Sequence, residues 1–172
     1  MTIIDDSNWE PDEDFFVELF EIGSEKKLDG RDTECKITIL DDDKPGQLAF
    51  VNPNVRHAAV GPNSRIVSID VKRIHDADGV VTVEYKTIEI NEGERTARTG
   101  IDFEEAKGTL KFPPNEVMMT IDVKIIDKEL SEDQERDEIF GLKLYNAFPA
   151  GVKISKRDVC RIELVKDAKA AR

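Results

Sequence analysis

At 172 residues the chain has the length of one domain or two small ones, and it contains no apolar run long enough to cross a bilayer as a helix. A formal net charge of −12 and a pI near 4.7 exclude the basic stripe that a nucleic-acid backbone requires. What remains for the acids is cation binding or plain solubility.

Strand signals dominate from the start. An acid-rich turn over Asp5–Glu13 leads into an alternating run, Phe15–Ile22, which predicts a strand with one or both faces buried. Gly23–Asp32 is charged and glycine-bounded, and reads as a hairpin loop. Lys36–Leu40 places Ile37 and Ile39 on one face of a second strand. Asp41–Gly46 is a short acidic connector closed by Pro45-Gly46, the place for a domain junction. Further strands are predicted at Leu48–Val51, Ile66–Ile74, Val80–Ile90, Gly108–Phe112, Val117–Ile126, Ile139–Tyr145 and Arg161–Val165, separated by loops rich in Gly, Pro, Asn and Asp. Only Ser131–Glu138 could form a turn of helix. About seven strands at this spacing imply an all-β fold, an antiparallel immunoglobulin-like sandwich without the Cys and Trp placement of an antibody domain.

The opening is repeated near the end. Ile3-Ile4-Asp5-Asp6 through Asp41-Asp42-Asp43 is echoed by Ile125-Ile126-Asp127-Lys128 through Lys166-Asp167-Ala168, with Cys35-Lys36-Ile37 matched by Cys160-Arg161-Ile162. Strand-like sequence precedes the second copy but not the first. The expected organisation is therefore a C-terminal hairpin of a truncated first domain (1–45), a complete second domain (46–167) and a short tail (168–172). The two cysteines hold equivalent strand positions, which suits small packing residues better than a disulfide and gives no reason to invoke an oxidising compartment.

Three segments resemble the Calx-β domain, the regulatory module of sodium/calcium exchangers. They are Thr96-Ala97-Arg98-Thr99-Gly100-Ile101-Asp102-Phe103 followed by Gly108-Thr109-Leu110-Lys111-Phe112; Ile3-Ile4-Asp5-Asp6 with its acidic turn and Asp14-Phe15-Phe16-Val17-Glu18-Leu19; and Ile37-Thr38-Ile39-Leu40 ending in Asp41-Asp42-Asp43. The resemblance covers nearly the whole chain in family order. It implies two tandem units of a regulatory calcium sensor, on the cytoplasmic side of the plasma membrane within a multi-pass transporter. The rival that it also admits is a structural or adhesion-type spacer in which calcium is incidental.

Calcium takes six to eight hard oxygens, several of them carboxylate. A hairpin of Phe15–Ile22 and Lys36–Leu40 would bring Asp5, Asp6, Glu10 and Glu13 to the same pole as Asp41, Asp42 and Asp43. Crowded carboxylates repel, and a divalent ion turns that repulsion into order. The plainer alternative is a pair of solvated acidic loops. By resemblance these seven positions match the family's calcium ligands, with a main-chain carbonyl near Asn8, while ligands from the missing first half leave the site incomplete here. An EF-hand is excluded, because Pro11 stands where the turn glycine belongs.

In the second copy Asp127, Lys128, Lys166, Asp167 and Ala168 fall where the first has Asp5, Asp6, Asp41, Asp42 and Asp43. The family's early glutamate is replaced around Ala58-Ala59-Val60, and Glu94 holds its next ligand position. The second domain is thus expected to bind calcium weakly or not at all and to act as a mechanical partner, with Lys44-Pro45-Gly46 as the hinge. His57 and His75 read as ordinary surface residues, Trp9 as a lid on the pole, and no catalytic set can be assembled. The expected partners are calcium and the rest of the transporter, and the bare hairpin invites strand-exchanged self-association.

Overall fold

A computed structural model describes residues 2–6, 8–59, 65–126 and 137–165. Eleven strands run through them: β1 (Glu13–Glu18), β2 (Glu34–Ile39), β3 (Gln47–Phe50), β4 (Asn54–Ala58), β5 (Ile66–Ile74), β6 (Val81–Glu89), β7 (Lys107–Phe112), β8 (Met118–Lys124), β9 (Glu138–Phe148), β10 (Lys153–Ile154) and β11 (Val159–Val165). The only helical element among the described residues is a single 3₁₀ turn at Gly93–Arg95.

β3 to β11 form a sandwich of two sheets, ordered β10-β3-β5-β8 and β4-β11-β9-β6-β7. Alternation explains the core. Val67, Ile69 and Val71 of β5 with Ile121 and Val123 of β8 face Val81 and Val83 of β6, Phe140, Leu142 and Leu144 of β9, and Cys160 and Ile162 of β11. The Thr96–Phe103 segment plugs one end. Phe103 stacks on Phe140 at a 4.1 Å centroid separation. Buried Asp102 holds the plug's turn by accepting the Arg98 N–H through Oδ2 at 2.7 Å.

Several expected features change. β4 and β10 were not anticipated, because their short runs carry no alternating signal. Both pair parallel to their neighbours, β4 with β11 and β10 with β3, so the sandwich is antiparallel except at these two edges. His57 therefore lies in a strand instead of a loop. β9 runs three residues past its expected end, carrying a register shift opposite Thr82–Glu84. The possible helical turn at Ser131–Glu138 falls almost wholly outside the described residues, and Glu138 itself begins β9.

β1 and β2 form a separate two-stranded sheet. Its register matches the β9–β11 pair position for position: Glu13 opposite Ile39 as Glu138 is opposite Leu164, Phe15 opposite Ile37 as Phe140 opposite Ile162, Val17 opposite Cys35 as Leu142 opposite Cys160. The burial differs completely. Phe140, Leu142 and Cys160 are fully buried, whereas Val17 is 41% exposed and Cys35 is exposed, because no second sheet covers them. The expectation that both cysteines pack inside holds only for Cys160.

Candidate metal centre

β1 leaves the acidic turn and β2 runs into Asp41, and the register of Glu13 on Ile39 puts both at one end of the hairpin. There a cleft of about 260 Å³ is lined by Asp5, Asp6, Asn8, Glu10, Glu13, Asp41, Asp42 and Asp43, with Ile3, Ile4 and Leu40 on its apolar side. All seven acids singled out from sequence thus line one concavity. They line it without closing on a point: among the described residues no three His, Cys, Asp or Glu side chains converge closely enough to hold a metal ion.

Local hydrogen bonds shape this pole. Asp6 Oδ1 accepts the Asn8 N–H at 2.7 Å, turning the chain after the first acidic pair. Asp12 Oδ1 accepts the Asp41 N–H at 3.1 Å and ties the two acidic segments together. Asp12 was not among the residues expected to matter; it positions the others. One oxygen of Asp41, Oδ2, is buried with no hydrogen-bond partner among the described residues. A buried carboxylate oxygen left bare is costly, and a water or a hard cation can satisfy it. Farther along β1, Lys36 and the Thr38 hydroxyl hold the Asp14 carboxyl below its ordinary value, so Asp14 is committed to the sheet surface.

The repulsion within the pole is legible at Asp43. Desolvation first, then Asp41, Asp78, Asp42 and Asp5, push its carboxyl above the ordinary value. Asp78 belongs to the β5–β6 turn, 35 residues away in sequence, and nothing in the sequence placed it beside the cluster. It arrives through the junction. The Lys44 N–H donates to Asp78 Oδ2 at 3.2 Å. The guanidinium of buried Arg73 donates to the carbonyls of Pro45 (2.8 Å), Gly79 (3.0 Å) and Asp78. Gly46 sits at φ +80°, and a Cβ there would press on the carbonyls of Asp76 and Ile74, so only glycine lets the connector lie this close. Lys44-Pro45-Gly46, expected to be a hinge, is instead sewn to the second unit.

The corresponding pole of the second unit is built differently. Asp127, Lys128, Lys166, Asp167 and Ala168 lie outside the described residues. Glu138 stands where Glu13 does, and beside it Arg56 Nε pairs with Glu163 at 3.0 Å and Nη2 reaches Asp137 at 3.9 Å. Arg95 pairs with the other oxygen of Glu163 and donates to the Asp137 carbonyl at 3.1 Å, and Arg161 pairs with Glu92. Sequence reasoning missed Arg56 because it sits on the unanticipated β4, and Arg95 and Arg161 because their partners lie far away in sequence.

Comparison with known proteins follows the same division. The Calx-beta domain family model matches residues 1–43 and 41–150. Sodium/calcium exchanger 1 of Canis lupus familiaris is 36% identical over 159 residues, covering 83% of this chain and 15% of the exchanger. Sodium/calcium exchanger 3 of Rattus norvegicus is 33% identical over 153 residues, covering 77% of the chain and 16% of the exchanger. The chain therefore spans about a sixth of the length of these relatives. Among solved structures, the calcium binding domain CBD12 of CALX1.1 superposes with a TM-score of 0.59 at 26% identity, covering 70% of this chain and 45% of that one. The apo-form Calx CBD1 domain gives a TM-score of 0.56 at 24% identity, covering 69% and 99%, and supports the fold.

Proposed function

The chain belongs to the Calx-beta domain family, and we propose on that premise that it is a calcium-sensing regulatory module of a sodium/calcium-exchanger-type transporter, held on the cytoplasmic side of the membrane. Its role is regulatory and not catalytic. No helix among the described residues is long and apolar enough to cross a membrane. The proposed division is a hairpin fragment at 1–45 and a complete domain at 46–167.

One observation carries the reading: Asp5, Asp6, Glu10, Glu13, Asp41, Asp42, Asp43 and Asn8 share a single cleft, and one of them, Asp41, has a bare, buried carboxylate oxygen. Bound there, calcium supplies charge neutralisation. The chain's own part is to draw Asp41–Asp43 toward the Asp5–Glu13 turn, across the bond Asp12 already makes. Because Lys44–Gly46 is fixed to the second unit, that movement alters how the two units sit on each other. Such a shift requires tighter calcium binding in one arrangement than in the other. The second unit serves as a partner that binds calcium weakly or not at all, with Arg56 and Arg95 paired to Glu163 at its pole.

Calorimetric titration of the chain tests this. Calcium should bind weakly, with Kd on the order of 0.1–1 mM, and the heat should vanish when Asp41, Asp42 and Asp43 are all changed to Asn. Equal heats in both proteins would overturn the assignment. The open spacing of the acids favours the rival reading, a Calx-beta spacer with incidental calcium. It predicts no calcium-dependent change in the separation of labels placed one on each unit.

A further inference from the structure

Between the two units lies a second concavity, of about 530 Å³, which shares Asn8 and Glu10 with the acidic cleft but is otherwise lined by residues that the calcium reading does not use. Trp9 and Glu10 of the acidic turn form one wall, and Asp78, Val80, Phe148 and Pro149 of the second unit form the other. The Trp9 indole lies directly over Gly151, where a Cβ would come within 2.6 Å of the ring, so the glycine permits the indole's seat. Phe148 is 69% exposed and Val80 38% exposed, an apolar surface that the fold has not covered.

We propose that this inter-unit cleft binds a small organic cation, an ammonium carried on an apolar body. Trp9 and Phe148 both line the cleft, and aromatic side chains are the groups that attract a cation there. Two carboxylates, Glu10 and Asp78, complement its charge, and Val80 with Pro149 accepts the hydrocarbon. A volume of this size suits a small ligand. Lys111, the one basic residue in the lining, leaves the three charged groups at a net negative balance. The chain's −12 charge deepens that bias. An anion would face both carboxylates, and a neutral ligand would leave them unused.

Trp9 is the sole tryptophan, so its emission reports directly on the site. The chain is titrated with benzyltrimethylammonium in the presence of a chelator, which separates the outcome from that of the calcium assignment. 3-Phenylpropanol and benzenesulfonate serve as the neutral and anionic probes. The expected result is a saturable change with the ammonium alone, weakened about tenfold by Phe148→Ser and by Asp78→Asn. Phe148 is largely exposed, and asparagine retains an oxygen to accept the Lys44 N–H, so both variants keep the fold. Lys111→Met should tighten binding by removing a like charge. The proposal is overturned if the neutral or anionic probe binds as well as the ammonium, if either variant binds like the parent, or if Lys111→Met weakens binding.

Discussion

Replacing Arg73 with Met tests whether the junction is anchored as described. The side chain's apolar stem is retained while three donors disappear from the carbonyls of Pro45, Asp78 and Gly79. A hydrogen bond to a charged group contributes roughly 1.5–3 kcal/mol, so three fully dry bonds would sum to about 4.5–9 kcal/mol. Two effects reduce this. Burial pulls the guanidinium below its ordinary value, a sign that it gives up hydration to sit there, and removing it recovers that cost. The bond to Asp78 is only partly buried, so water can replace it. The expected loss is ~3 kcal/mol, which lowers the melting temperature of the sandwich by about 10 °C. Chemical denaturation should show an unchanged m-value, since the core is untouched. Amide exchange should accelerate at Lys44 and Asp78, whose N–H groups close the junction. A loss below about 1 kcal/mol with both amides still protected would show that the connector is held by something other than Arg73.

Three further outcomes follow from the geometry. Asp43's carboxyl is raised above 3.8, so the fold favours its protonated form: that stabilisation is complete below the unfolded value and is lost as pH rises through the raised one. An NMR titration should place its midpoint above 3.8, and a midpoint at or below that value would remove the case for a crowded pole. Cys35 is exposed, whereas burial pushes the Cys160 thiol up to about 12. Ellman's reagent should therefore titrate one thiol in the native chain and two in denaturant, and two fast native thiols would refute the burial of β11. The hairpin presents Val17, Leu19 and Cys35 bare, and a two-stranded sheet is marginal in water. Sedimentation should show concentration-dependent association that Val17→Lys weakens, and a strictly monomeric parent would mean that the chain covers this face itself.

Much of the architecture was legible because period-two alternation survives wherever a strand has one buried face. Ile66–Ile74 was read to the residue, and it carries Val67, Ile69 and Val71 into the core. β4 and β10 were not legible, since edge pairing of a few residues leaves no periodic trace. The seven acids could be grouped from sequence because a hairpin's two ends are adjacent whatever else the fold does. Asp78 and Arg73 could not, because their proximity to Asp43 and Pro45 depends on how the connector lies across the β5–β6 turn. Burial in the hairpin was misjudged for a related reason. Alternation says which face of a strand is apolar, but it does not say whether anything packs on that face.

The repeat supplies its own control on the charge argument. Both hairpins share one register, yet Thr38 in the first takes the place that Glu163 holds in the second. Glu163 is met by Arg56 and Arg95, so among the described residues the second pole carries cations of its own. Thr38 spends its hydroxyl on Asp14, and no arginine approaches Asp41–Asp43 among the interactions of the described residues. On the proposed reading, one pole is therefore completed by the sequence and the other by whatever cation the surroundings supply. That asymmetry is what a sensor needs, because a unit that neutralises itself reports nothing about the ions around it. With Lys44 and Pro45 bonded to the second unit, the proposed reading leaves the short Asp41–Asp43 segment to translate a change in bound charge into a change in angle.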